Sequence, residues 1–125
     1  DKNKPTRIWP EVYAKFPSNG APVDVDDLKK RFLHIQAIET LRCMEEGVDT
    51  AADDADVGSI FGWGFAPFHG GVISYVETVG LPQFLADCDA LAAKHGKRFE
   101  APQLLRDMVA KGQSFYPNET AVAAE

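Results

Sequence analysis

Residues 26–48, Asp26-Asp27-Leu28-Lys29-Lys30-Arg31-Phe32-Leu33-His34-Ile35-Gln36-Ala37-Ile38-Glu39-Thr40-Leu41-Arg42-Cys43-Met44-Glu45-Glu46-Gly47-Val48, decide the fold class. Leu28, Phe32, Ile35, Ile38, Leu41 and Val48, with Leu33, Ala37 and Met44 beside them, recur at helical steps along one face. Asp24, Asp26 and Asp27 sit where the positive end of a helix dipole favours carboxylates, and Gly47 suits a left-handed cap. The stretch predicts a long amphipathic helix over 26–46.

Working downstream, Thr50 followed by Asp53 resembles a capping box with Asp in place of Glu. It predicts a second helix from Ala51 to about Ile60, with Asp53, Asp54 and Asp56 as an ordinary solvated first turn. A short helix over 72–78 offers Tyr75, Val76 and Val79 to the core. Pro82 suits a first helical turn, and Phe84, Leu85, Cys88, Leu91 and Ala92 form an apolar stripe ending at Gly96. A last helix begins near Pro102, buries Leu104, Leu105, Met108 and Val109, and stops at Gly112, after which Phe115 and Tyr116 fold back. No window alternates with the period of a half-buried strand. The expectation is an all-α domain, a compact bundle of about five helices over residues 26–117.

Residues 1–25 carry four of the eight prolines and no sustained period, and read as an extended N-terminal arm or linker. Trp9, Val12, Tyr13 and Phe16 are a poor choice for a plain tether, so the arm is expected to lie across a surface, its own or a neighbour's. Residues 118–125 read as a flexible tail.

Bulk composition narrows the function. A chain of 125 residues buries roughly two thirds of its unfolded surface, enough for one core without disulfides or metal. Thirteen Lys+Arg against 19 Asp+Glu give a net charge of −6. With no long basic run, there is no footprint for nucleic acid or an anionic membrane, and no apolar stretch reads as a membrane span. The opening Asp1, and the lack of a basic stretch followed by an apolar one, lead to the expectation of a piece of a longer chain without a signal peptide. Cys43 and Cys88 are too few for a disulfide framework and read as small core residues, reduced thiols of a cytoplasmic protein.

The search for chemistry centres on residues 62–71, Gly62-Trp63-Gly64-Phe65-Ala66-Pro67-Phe68-His69-Gly70-Gly71. Gly62 and Gly64 have the spacing of a dinucleotide fingerprint, but its third glycine falls on Pro67 and no strand precedes it. The reading is a structural loop in which Gly62, Gly64, Gly70 and Gly71 allow unusual backbone angles or close approach, Pro67 stiffens the turn, and Phe65 and Phe68 anchor it in the core. A calcium loop from Asp54 fails because Gly58 and Phe65 fall at ligand positions. His34, His69 and His95 lack metal-ligand spacing. His69, flanked by glycine in the loop, is the first candidate for acid–base work, with no visible partner to orient it. His95 beside Gly96 suits a helix C-terminus, and Arg42 can pair with Glu39. No catalytic, cofactor-binding or metal-binding residue emerges.

Residues 32–48 together with 55–71, Ala55-Asp56-Val57-Gly58-Ser59-Ile60-Phe61-Gly62-Trp63-Gly64-Phe65-Ala66-Pro67-Phe68-His69-Gly70-Gly71, closely resemble the C-terminal domain of 3-hydroxyacyl-CoA dehydrogenases. More narrowly, they are similar to the second, terminal copy of that domain in the α subunit of the fatty-acid oxidation complex. Residues 105–116, Leu105-Arg106-Asp107-Met108-Val109-Ala110-Lys111-Gly112-Gln113-Ser114-Phe115-Tyr116, resemble the family's ending. Ala66 departs from the pattern, which has Pro ahead of Pro67.

The resemblance implies a fold like the C-terminal domain of 6-phosphogluconate dehydrogenase. It also implies a multifunctional β-oxidation enzyme that hydrates enoyl-CoA and oxidises 3-hydroxyacyl-CoA with NAD. In that family the nicotinamide fold and the catalytic His-Glu pair lie in the preceding Rossmann domain, so no catalytic residue carries over to this sequence. The implied partners are the preceding helical and Rossmann domains of the same chain and, in the full enzyme, acyl-CoA. The isolated piece is expected to be inactive, to bind no NAD and to expose a hydrophobic surface through which it can form a homodimer. A free-standing helical interaction module with an unrelated partner is the alternative, and an acyl-CoA contact at the glycine loop is a weaker idea.

Overall fold

The computed structural model describes residues 8–20 and 22–117, and among these there are helices and no strands. Helix α1 covers Pro10–Lys15, α2 Val25–Glu45, α3 Ala52–Trp63, α4 Val72–Val79, α5 Leu81–His95 and α6 Gln103–Lys111. Short 3-10 turns lie at Pro67–His69 and Lys97–Phe99. The all-α expectation holds, and the five expected helices are α2 to α6. The expected tail, residues 118–125, lies outside the described residues.

Helix α2 starts where its carboxylates direct it. The Asp24 side chain accepts from the Asp26 and Asp27 amides at 3.1 and 3.0 Å, satisfying two of the donors that a helix start leaves free. At the other end Gly47 takes the left-handed conformation, with φ of 72°. Helix α2 packs on α4 and α6, α3 packs on α4, and α5 packs on α4 and α6. The core between them contains Ile38, Leu41, Phe65, Ile73, Val76, Phe84 and Leu105. Ion pairs brace its outside, Lys30 with Asp87 between α2 and α5 and Arg106 with Asp89 between α6 and α5.

Three expectations are corrected. The arm is not wholly extended: Pro10, with its fixed φ, opens α1, whose residues are all unburied. Thr50 does not cap α3; Ala51 stands at the N-cap, and its own amide is taken by Asp49 Oδ1 at 3.3 Å. Helix α3 also runs a turn past Ile60 and ends at Gly64, with φ of 76°. Trp63 Nε1 donates to Gln36 Oε1 at 3.0 Å, which ties that extra turn to α2. Gly62 therefore lies inside a helix and is not at a special turn.

Candidate docking face

The loop after α3 is built around one carboxylate. Helix α4 begins at Gly70-Gly71 with no capping side chain of its own, so its first amides need acceptors from elsewhere. Asp56 on α3, 6% exposed, supplies them: Oδ1 accepts from Ile73 N at 2.6 Å and Ser74 N at 3.1 Å. Oδ2 accepts from the Ser74 hydroxyl and from Tyr116 Oη, the latter at 2.6 Å. Ser59 completes the cradle, accepting from Val72 N at 3.2 Å while its hydroxyl donates to the Asp56 carbonyl at 2.8 Å. Burial, followed by the hydrogen bond to Asp56, pushes the Tyr116 phenol well above its ordinary pKa. Phe115 and Tyr116 fold back as expected, held also by Glu77, which accepts from Phe115 N.

Of the residues assigned to the loop, Phe65 is 1% exposed and does anchor it. Phe68 does not: it is 85% exposed, because the 3-10 turn opened by Pro67 carries it outward. Gly64, Gly70 and Gly71 take positive φ, whereas Gly62 does not. His69 stacks edge-on to Tyr75 at 4.9 Å and beside Phe68 at 4.3 Å, a packing position between aromatic rings. The Gly62–Gly64 pair lies at the C-terminal end of α3, the negative end of its dipole, whereas a pyrophosphate is favoured at a helix N-terminus.

Buried titratable groups elsewhere serve packing. His34 is stacked on Phe84 at 4.4 Å, its Nδ1 is 3.1 Å from Tyr75 Oη, and Nε2 lies 3.6 Å from Asp87 Oδ2. Desolvation lowers its pKa below 6.5 despite the nearby Asp87. Burial pushes the Tyr75 phenol and the Cys88 thiol each up to about 12. Cys88 is a core residue as expected; Cys43 is exposed, a correction that follows from its position on the open side of α2. His95 closes α5 and binds Asp27 at 3.1 Å, joining the end of α5 to the start of α2. Among the described residues no cluster of three His, Cys, Asp or Glu is arranged to hold a metal, and no helix is long and apolar enough to cross a membrane.

The outer face of α2 and α3 also carries exposed apolar side chains. Between the two helices runs an apolar groove of about 710 Å³, lined by Ile35, Thr40, Cys43, Val48, Ala55, Gly58 and Trp63, with Glu39, Asp49 and Asp54 among its polar residues. Trp63 is 54% exposed, yet its bond to Gln36 holds the ring in place. Phe32 on α2, and Val57 and Phe61 one turn apart on α3, are also exposed, Phe61 at 84%. An apolar groove of this kind is a candidate for a site where another surface packs.

No family model matches the chain. The fatty acid oxidation complex subunit alpha of Acinetobacter baumannii strain AYE is 40% identical over 93 residues, 74% of this chain and 13% of that protein. The subunit of the same name from Psychrobacter sp. strain PRwf-1 is 46% identical over 79 residues, 63% of this chain and 11% of that protein. The chain is homologous to the C-terminal part of fatty acid oxidation complex alpha subunits. It spans only 11–13% of the length of these curated relatives. The resemblance read from the sequence to this family's α subunit is therefore borne out.

Sequence reasoning missed Asp56, the residue on which the family-like loop depends. The available signal was indirect: a helix preceded by two glycines carries no cap of its own, and Asp56 is the innermost of three aspartates fifteen or more residues before it. Glu45 Oε1 accepts from Leu104 N at 2.7 Å, a cap at the start of α6 that no local pattern signals. Arg42 pairs with Glu39 as expected, but its Nη2 also donates to the Arg98 and Glu100 carbonyls, each at 3.1 Å.

Proposed function

We propose that this chain serves as the terminal helical domain of a β-oxidation enzyme that oxidises 3-hydroxyacyl-CoA to 3-oxoacyl-CoA with NAD, in a protein that also hydrates enoyl-CoA. Its part is structural. Residues 26–117 form the domain and residues 1–25 the arm that leads into it. The chemistry resides in upstream domains, with NAD held by a Rossmann domain and the acyl-CoA bound in the full enzyme. The α2–α3 face packs against a preceding helical domain of the same protein and so supports the helical side of the active-site cleft.

The observation that carries this reading is the exposed apolar face of α2 and α3 beside a well-packed core. A domain that worked alone would leave Phe61, Trp63 and the groove in water, at a cost of roughly 25 cal/mol for each Å² of apolar surface not buried. Homology to one end of much longer proteins supports this reading. The glycine loop acts as a brace, with Asp56 and Gly71 fixing α4 against α3.

Isothermal titration of NAD into the isolated chain tests the division of labour. No heat of binding is expected, and a stoichiometric NAD site would overturn the structural assignment.

A further inference from the structure

The groove between α2 and α3 holds two glycines that the chain's own packing does not require. Gly58 and Gly62 stand one turn apart inside α3, both line the groove, and neither takes positive φ. A Cβ at either position would meet nothing within 4 Å. Glycine weakens a helix interior relative to alanine, so a pair placed where alanine would fit asks for a reason outside the fold. Bare α3 backbone at these positions lets a second helix approach at the short end of the interaxial range, which the contacting side chains set. The opposite wall is Gln36, Thr40 and Cys43 on α2, and Trp63 lines the same groove. Gln36 Nε2 donates to the Phe32 carbonyl at 2.7 Å while its Oε1 accepts from Trp63 Nε1 at 3.0 Å, so the half-exposed indole is held by an anchored partner. A tryptophan fixed in this way loses little freedom on contact, the property of a binding anchor.

We infer that this groove seats one helix of the polypeptide that precedes the domain in the full protein, its backbone against α3 at Gly58 and Gly62 and Trp63 as the preset anchor. The inference rests on the docking reading above and adds the form of the partner to it. From Gln36 to Cys43, and from Asp54 to Trp63, the walls run roughly 10–14 Å at 1.5 Å per residue, about two turns of helix. Glu39, Asp49 and Asp54 also line the groove, and among the described residues only Glu39 has an ion-pair partner, Arg42. Basic residues flanking a seam of small apolar ones therefore complement this site. Helix α1 fits it poorly: Trp9, Tyr13 and Phe16 are too large for close backbone approach, and Glu11 balances Lys15 within Pro10–Lys15. The relatives, of which this chain spans 11–13%, carry most of their length ahead of the matched part, so a helix from the same protein needs no second copy.

Cys43, exposed on the groove wall, reports occupancy, and Cys88 is buried. The test compares iodoacetamide labelling of Cys43, read by mass spectrometry, in the 125-residue chain and in a chimera carrying it in place of the C-terminal part of the Acinetobacter baumannii alpha subunit. Cys43 is expected to react at least about tenfold more slowly in the chimera, where a docked helix must open first. Gly58→Leu/Gly62→Leu should bring that ratio to about one while the substituted chain alone keeps its circular dichroism, since both positions face open space. An unprotected Cys43 in the unaltered chimera, or protection that survives the leucine pair, overturns the inference. So does a chain whose Cys43 reacts faster once residues 1–17 are deleted, which names its own arm as occupant, or more slowly as concentration rises, which names a second copy. Oxidation of a 3-hydroxyacyl-CoA by the chimera separates the two readings: activity with Cys43 unprotected removes the helix from the groove and leaves the domain's role standing, and inactivity with Cys43 unprotected removes both.

Discussion

Gly71 lies flat against the carboxylate of Asp56: a Cβ at position 71 would come under 3.0 Å from that side chain. The glycine's φ of 125° is itself a conformation that L side chains rarely adopt. Close approach is what lets Asp56 reach the first free amides of α4. Gly71→Val is thus expected to destabilise the domain by about 2–4 kcal/mol, from backbone strain and overlap together. Urea denaturation reads it as a lower midpoint, and an unchanged midpoint would refute the brace.

Gly62 provides the contrast. It lies inside α3 with open space where a Cβ would stand, and it does not take positive φ. Gly62→Ala is expected to stabilise the domain by roughly 0.5–1 kcal/mol through helix propensity and the unfolded chain's lost freedom. A fall in the urea midpoint would mean that the loop begins earlier than Gly64.

Asp56 joins α3, α4 and the segment after α6 through one side chain. Asp56→Ala leaves the Ile73 and Ser74 amides and the Tyr116 hydroxyl without their acceptor, and a loss of about 2–4 kcal/mol is expected. Tyr116→Phe removes one donor only and should cost about 1 kcal/mol. The double variant should lose less than the sum of the two, since Tyr116 has no carboxylate to bind once Asp56 is gone. Strict additivity in the denaturation cycle would contradict the shared site.

His34 makes stability depend on pH in a stated direction. Its folded pKa is depressed by burial, so below 6.5 the unfolded chain takes up a proton that the folded chain resists. The contribution is fully present above 6.5 and is lost as pH falls from 6.5 towards the depressed folded value. His34→Gln should flatten that part of the stability profile relative to the unaltered chain. Parallel profiles for the two proteins would show that His34 does not titrate differently on folding.

The helical class and the order of α2 to α6 were readable because their apolar positions repeat within each segment, as in Leu28, Phe32 and Ile35. The caps that mattered were not readable, because they come from other elements. Asp56 caps α4 and Glu45 caps the start of α6, and neither is near its target in sequence. Local pattern therefore assigned the cap of α3 to Thr50 and treated Asp56 as solvated. Phe65 and Phe68 look alike in sequence, three residues apart, and only the turn opened by Pro67 sends one inward and the other out. Exposed apolar surface was foreseen only through the family resemblance; its location on α2 and α3 needed the packing.

The most direct test of the proposed docking role is a chimera in which this chain replaces the C-terminal part of the Acinetobacter baumannii alpha subunit, assayed for the NAD-dependent oxidation of a 3-hydroxyacyl-CoA that the proposed function assigns to the full enzyme. The chimera is expected to retain oxidation, and Val57→Asp/Phe61→Asp in its docking face should reduce activity to that of the subunit lacking the replaced part. The isolated double variant should keep its helical circular dichroism, since both side chains are exposed. A double-variant chimera as active as the unsubstituted one would contradict the assignment of the α2–α3 face.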